Sequence, residues 1–210
     1  MTSPHPRRGR PRDAGADEQI LRAAEEELLA RGYAAFAVDK VAKAAAVAKT
    51  TLYRRWPTKD HLAIAVIARM QDEVPVPDTG DLRADLVDYL EQIALGLNRT
   101  RRAGPGRDPD DPSAGLVGEL VAAAARHPDI GALVRAVFEQ RNALVIGLID
   151  RARRRGGLRP DTDPELLFDQ LSGALYYRLL ITGRPIDRSY AERLVDTALT
   201  GVLPPKGNRT

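Results

Sequence analysis

From Asp17 onward, apolar residues recur every three to four positions, the period of a helix with one buried face. Ile20, Leu21, Ala24 and Leu28 form the first stripe, and Arg31-Gly32 supplies a stop. Two short helical stretches follow, Val38–Ala45 and Lys49–Arg55, separated by Ala46-Val47-Ala48. Thr58 is placed to cap a fourth helix, with Asp60 in its first turn and Ala63, Val66, Ile67 and Met70 on one face. Pro75 to Gly80 breaks the chain, and Leu82, Leu86, Leu90, Ile93 and Leu97 then mark a long helix. Composition predicts a loop over 104–112. Ser113 opens the next helix, and Pro128 sits near the first turn of one that carries Val137, Phe138, Val145 and Leu148 and stops at Gly156-Gly157. Asp163-Pro164-Glu165 starts a helix reaching about Thr182, and Ser189 to Glu192 reads as a capping box for the last. No alternating strand pattern and no internal repeat occurs. The pattern predicts an all-α fold of about nine helices.

Composition narrows the class. Of 210 residues, 43% are apolar, enough for a packed core. The absence of cysteine removes disulfides and thiol chemistry and fits a reducing compartment. Residues 1–13 lack the apolar segment of a secretory signal, and no apolar run approaches the roughly 18–20 residues of a membrane span. A soluble, cytoplasmic protein with no membrane partner is therefore expected.

Net charge is only +3, but it is unevenly spread: residues 1–60 hold 12 Lys/Arg against 8 Asp/Glu, and the rest hold 20 against 21. Between Asp39 and Asp60 lie Lys40, Lys43, Lys49, Arg54, Arg55 and Lys59 with no acid. A basic region of this kind suits a polyanion. Two helices joined by a tight turn, the second rich in cations, are also what reading DNA requires, because the major groove admits one helix and another must brace it. Val41, Ala42 and Val47 are predicted to face inward, with Leu52 and Trp56 anchoring the second helix. That arrangement turns Lys49, Thr50, Thr51, Tyr53, Arg54 and Arg55 outward or sideways.

Gly32-Tyr33, Val38-Asp39-Lys40-Val41-Ala42 and the run from Ala45 to Leu62, with Leu52-Tyr53 followed by Trp56 and Lys59, resemble the TetR family of transcriptional regulators over residues 17–70. Leu116 to Val202, including Leu158-Arg-Pro-Asp161 and Tyr176 to Gly183, is similar to one TetR C-terminal type. The resemblance implies a flexible basic arm (1–16), a DNA-binding domain (17–60, helix-turn-helix 37–56) and a C-terminal ligand-binding and dimerisation domain (61–210). It implies that Lys49, Thr50, Thr51 and Tyr53 meet bases and phosphates of double-stranded operator DNA, with Lys43, Arg54 and Arg55 beside them. Lys59, at the start of the fourth helix, suits a phosphate. Arg8 and Arg10, in Arg-Gly-Arg-Pro, fit a narrow minor groove. Three positions depart from the family pattern: Ala37 stands where Ser or Thr is usual, Ala46 where Gly is usual, and Ala48 where a Ser-like cap is usual. A lost cap costs about 0.5–2 kcal/mol.

For the C-terminal part, the resemblance implies a repressor released from a palindromic operator by an unknown small-molecule effector, working as a homodimer in the cytoplasm at the nucleoid. The last two helices are the candidate dimer surface, through Leu167, Leu171, Leu175, Tyr190, Leu194, Ala198 and Val202. Tyr89, Phe138, Arg141, Phe168, Tyr176 and Tyr177 are candidate pocket residues. Arg141 interrupts an apolar stripe and would meet an acidic ligand, pair with a carboxylate or extend to solvent. The run Arg151 to Arg155 reads as a complement to a helix C-terminus. No metal, cofactor or catalytic constellation is expected: His5, His61 and His127 are scattered, and Glu25-Glu26-Glu27 reads as a solvated cluster. The alternative is a helical protein-interaction module without DNA binding.

Overall fold

A computed structural model describes residues 14–102 and 115–200. Those residues form nine α-helices and no strand. They are α1 (Ala14–Ala35), α2 (Val38–Ala44), α3 (Lys49–Arg55), α4 (Lys59–Asp72), α5 (Leu82–Arg101), α6 (Gly115–Arg126), α7 (Pro128–Arg154), α8 (Pro164–Tyr177) and α9 (Arg188–Thr200). The predicted arm, with Arg8 and Arg10, lies outside the described residues, as do Ser113 and Val202.

Most helix boundaries follow the local chemistry. Gly32 (φ 72°, ψ 167°) breaks α1 where a stop is expected, and one further turn follows it. Thr58 Oγ1 accepts from the His61 amide at the start of α4 (3.3 Å). Asp81 caps α5 through the Ala84 amide (3.0 Å), and Asp163 caps α8 through Glu165 and Leu166 (2.9 and 3.2 Å). The last turn after α8, Arg178–Thr182, widens to π geometry before Gly183 (φ 61°) ends it. One expected cap is displaced. Asp187, not Ser189, accepts from the Tyr190 amide (2.8 Å), so α9 begins at Arg188, and the Ser189 hydroxyl accepts from Arg193.

Two apolar cores organise the chain. The first joins α1 to α4 through Ile20, Leu28, Val41, Leu52, Leu62 and Val66, and takes Leu116, Leu120 and Ile130 from α6 and α7. The second joins α5, α7, α8 and α9 around Leu86, Leu90, Val145, Ile149, Leu171 and Val195. Burying such side chains stabilises by about 1.5–3 kcal/mol each relative to exposure. Ion pairs brace the seams. Arg83 forks onto Asp196 between α5 and α9, and Arg188 joins Asp88 and Glu91. The arginine run at the end of α7 has a more specific role than dipole complementation. Arg151 and Arg155 hold Asp78 of the Pro75–Gly80 connection, while Arg153 and Arg154 hold Asp150.

The helix-turn-helix is locally weak. Neither Ala37 nor Ala48 makes a side-chain cap, and Ala46 sits at φ 51°, in the left-handed region. Replacing Ala46 with Gly relieves that conformation at no cost in packing, since the residue is exposed. Ala46→Gly is expected to stabilise the fold by about 1 kcal/mol, measured as a raised urea midpoint with unchanged slope; a lowered midpoint would contradict the strain.

Candidate functional site

The turn between α2 and α3 closes on the core. The Val47 amide donates to Ala42 O (3.0 Å), Val41 and Ala42 are buried, and Leu52 has no solvent exposure. Trp56 packs against the same cluster. With Leu52 facing in, the opposite side of α3 is open to solvent: Lys49, Thr50, Tyr53 and Arg54 are exposed and Thr51 is half-buried. Lys43 of α2 is exposed as well. Lys49 pairs with Asp39, both well over half exposed. A pair this wet contributes only about 0–1 kcal/mol, so a phosphate can displace the carboxylate.

Two of the expected contact residues are otherwise engaged. Arg55 turns back to Asp17 of α1 and is mostly covered, which removes it from the outer face. Lys59 does not present a free ammonium at the start of α4. Its Nζ donates to Tyr33 O (3.0 Å) and lies 4.2 Å from the centre of the Tyr33 ring. The Tyr33 hydroxyl in turn donates to Asp60. Lys59 and Asp60 thus clamp the end of α1 to the beginning of α4.

A second link lies further along α4 and corrects the reading of the acidic run. Glu26 is exposed, but Glu25 is buried, paired with Arg69 of α4 and with Arg99 of α5 (3.1 Å). Arg69 also holds Glu18 (3.1 Å) and Glu73 (2.6 Å). Burial works against the Arg69 charge, but hydrogen bonding to Glu25 and the charges of Glu25, Glu73 and Glu18 outweigh it and hold its pKa above the ordinary arginine value. Glu27 faces Lys40 of α2 (3.6 Å). The signal for this node was present as three adjacent acids, but the two arginines that Glu25 meets lie 44 and 74 residues further along the chain.

Behind α4 is a cavity of about 370 Å³ walled by α4 to α8. Tyr89, Phe138, Arg141, Phe168 and Tyr176 all line it, together with Ile64, Ile67 and Met70 of α4. Tyr177 does not; it is 59% exposed on the outside. The Phe138 and Tyr176 rings meet edge to face (6.0 Å, 74°). Burial pushes the Tyr89 phenol above its ordinary pKa, opposed by the nearby Arg141 charge. Burial also raises Tyr176, helped by Tyr89. Both phenols are therefore neutral hydrogen-bonding groups across the physiological range. Among the described residues, no cluster of His, Asp and Glu could hold a metal ion.

The outer surface of α8 differs from the expected dimer face. Leu167, Leu171 and Leu175 are buried in the second core and unavailable to a partner. The positions exposed instead are Leu166 (56%), Gly173 and Tyr177, then Ile181 (71%) in the π turn. On α9, Tyr190, Leu194 and Ala198 are half-buried against their own core, and Tyr190 stacks under Arg178 (4.0 Å).

Comparison with known proteins agrees with this architecture. Residues 20–66 match the model of bacterial regulatory proteins of the tetR family, and residues 76–198 match a tetracyclin repressor-like C-terminal domain. A Bacillus subtilis HTH-type transcriptional regulator, YdeS, is 35% identical over 198 residues, covering 93% of this chain and 94% of that protein. The DNA-binding transcriptional repressor TetR of Mycobacteroides abscessus is 31% identical over 191 residues, covering 89% and 93%. The crystal structure of the TetR family transcription regulator SCO0332 superposes with a TM-score of 0.74 at 36% identity, covering 90% of this chain and 99% of that one. With an outward-facing α3 on a helix-turn-helix and a helical C-terminal body shared along nearly the whole length, this chain belongs to the TetR family of DNA-binding transcriptional regulators.

Proposed function

We propose that the protein is a ligand-responsive repressor, bound as a symmetric homodimer to a palindromic operator and released when a small molecule fills the cavity behind α4. The observation that carries this reading is the double attachment of α4. Its first residues clamp Tyr33 beside the helix-turn-helix, and its later residues Ile64, Ile67 and Met70 wall the cavity. A ligand that displaces α4 by a small amount therefore moves α3 with it, because a packed helix shifts as a unit. The DNA-binding unit is then residues 17–60, preceded by the basic arm, and the regulatory unit is 61–210. The boundary falls in the first turn of α4. The protein acts by binding rather than by catalysis, in the cytoplasm at the nucleoid. The membership of a family of regulators supports that reading, as does the lack of any helix among the described residues able to cross a membrane.

On DNA, Lys49, Thr50, Thr51, Tyr53 and Arg54 make the principal contacts, with Lys43 at the flank and Lys59 and Arg55 acting through the packing of α1 and α4. The dimer forms over the exposed stripe of α8 and the adjacent side of α9, an isologous contact of two helices from each protomer. It sets two α3 helices about 34–36 Å apart, or a multiple of that, to match operator half-sites.

Titrating the protein with its own upstream DNA at several salt concentrations tests the contact set. Binding is expected to weaken steeply with salt. Lys49→Ala should lower the logarithmic slope by about 0.9 for each phosphate that the lysine no longer neutralises. Arg54→Ala is expected to cost about 1–3 kcal/mol and relax the preference at one base position. Retention of full affinity in both variants would refute the assignment. Sedimentation tests the dimer. Wild type should run at twice its 22.9 kDa chain mass, and Tyr177→Glu with Ile181→Glu should yield folded monomer. A dimer that survives the double variant excludes that face.

A further inference from the structure

The cavity holds a charge that its walls do not neutralise. Arg141 lies in the middle of α7, far from either helix end, and is only 8% exposed. Its Nη2 donates to the Val74 carbonyl, and its guanidinium stands 5.1 Å from the centre of the Tyr89 ring. Neither contact supplies an anion. No Asp or Glu among the described residues forms an ion pair with it, whereas the buried Glu25 has two arginine partners. A buried cation without a counter-charge is strongly disfavoured, which makes its retention informative.

The surrounding groups are of the same kind. Tyr89 Oη is buried and lacks a hydrogen-bond partner; Arg141 comes near it but falls short of hydrogen-bond geometry. Because burial holds the phenol neutral, this hydroxyl is available as a donor. The acidic lining residue Glu73 is unavailable to Arg141, being held by Arg69 and largely exposed. Most of the remaining wall is aliphatic or aromatic. The cavity's 370 Å³ falls near the small end of the usual range for organic ligands, about 300–1,000 Å³. Leu95 and Val121 line it and are each about half exposed, which marks an apolar mouth between α5 and α6.

We propose that the effector is a small organic carboxylate with an apolar body, its head group paired with Arg141 and hydrogen-bonded by Tyr89. The planar guanidinium matches a carboxylate bidentately, and the ligand supplies the counter-charge that the protein omits. The apolar body lies along Ile67, Val137 and Phe138. The proposal rests on the cavity being the effector site, and the test separates the two ideas.

Full-length protein is titrated calorimetrically with octanoate and 1-octanol, and with 2-naphthoate and 2-naphthamide, pairs that differ in the charge of the head group. Each acid is expected to bind about tenfold or more tightly than its neutral partner, as a charge-assisted pair in a dry site implies. A preference in only one pair assigns the body as aliphatic or aromatic. Arg141→Gln and Arg141→Met should erase the preference while leaving the neutral compounds within about threefold of wild type, and Arg141→Met should melt no lower than wild type without ligand. Equal binding of acid and neutral partner, no binding of either acid at millimolar concentration, or a preference that survives Arg141→Gln would overturn the proposal. Operator affinity measured alongside distinguishes the failures. Neutral compounds that bind and release DNA while the acids do not would sink the ligand class but leave the ligand-responsive repressor intact. Acids that bind through Arg141 without changing DNA affinity would do the reverse.

Discussion

The packing of α4 against α1 is the contact on which the other features depend. Leu62, Ala63, Ile64 and Val66 are essentially inaccessible to water, and the polar ends of the same seam are tied by Lys59 and Asp60 to Tyr33 and by Arg69 to Glu25. The aliphatic contacts supply most of the stabilisation, while the buried ion pair fixes the register of the two helices. Removing one partner would leave the other charged and dry, a change that typically costs about 3–5 kcal/mol. Because α1 also carries Asp17, which holds Arg55, the seam reaches the last residue of α3.

This dependence explains how the helix-turn-helix persists with so little local support. Helices α2 and α3 are seven residues each, below the length at which an isolated helix is stable. They lack side-chain caps, and the turn holds an alanine in the left-handed region. What retains them is burial of Val41, Leu52 and the turn residue Val47 against α1 and α4. A reading head stabilised in this way rests on α1, against which α4 is packed, and the proposed regulatory motion depends on that chain of contacts.

Charge is treated differently in the two halves. In the N-terminal half nearly every buried or half-buried ion finds a partner on another helix: Arg55 with Asp17, Glu25 with Arg69 and Arg99, Glu27 with Lys40. In the C-terminal half the exposed seams are paired as well, but the buried Asp85 is met by the Thr79 amide and hydroxyl, and the buried Arg141 by no opposite charge. Paired ions lock helices together, and an unpaired one inside an apolar cavity leaves a local demand that a ligand of opposite charge can meet.

The sequence alone determined the number, order and approximate ends of the helices, because apolar period, capping residues and Gly/Pro breaks are local signals. It also determined the DNA-reading motif, since Leu52 and Trp56 dictate which side of α3 turns inward. Tertiary structure decided what each long or wide-striped residue meets. On α8 the apolar stripe is broad enough to include both Leu166 and Leu167, and only the packing of α5, α7 and α9 selects which edge is core and which is surface. The fates of Arg55, Lys59 and Glu25 likewise rested on Asp17, Tyr33 and Arg69, each between 26 and 44 residues distant in the chain. A side chain with several torsions reaches whichever opposite charge the fold brings near, and proximity of that kind has no periodicity to read.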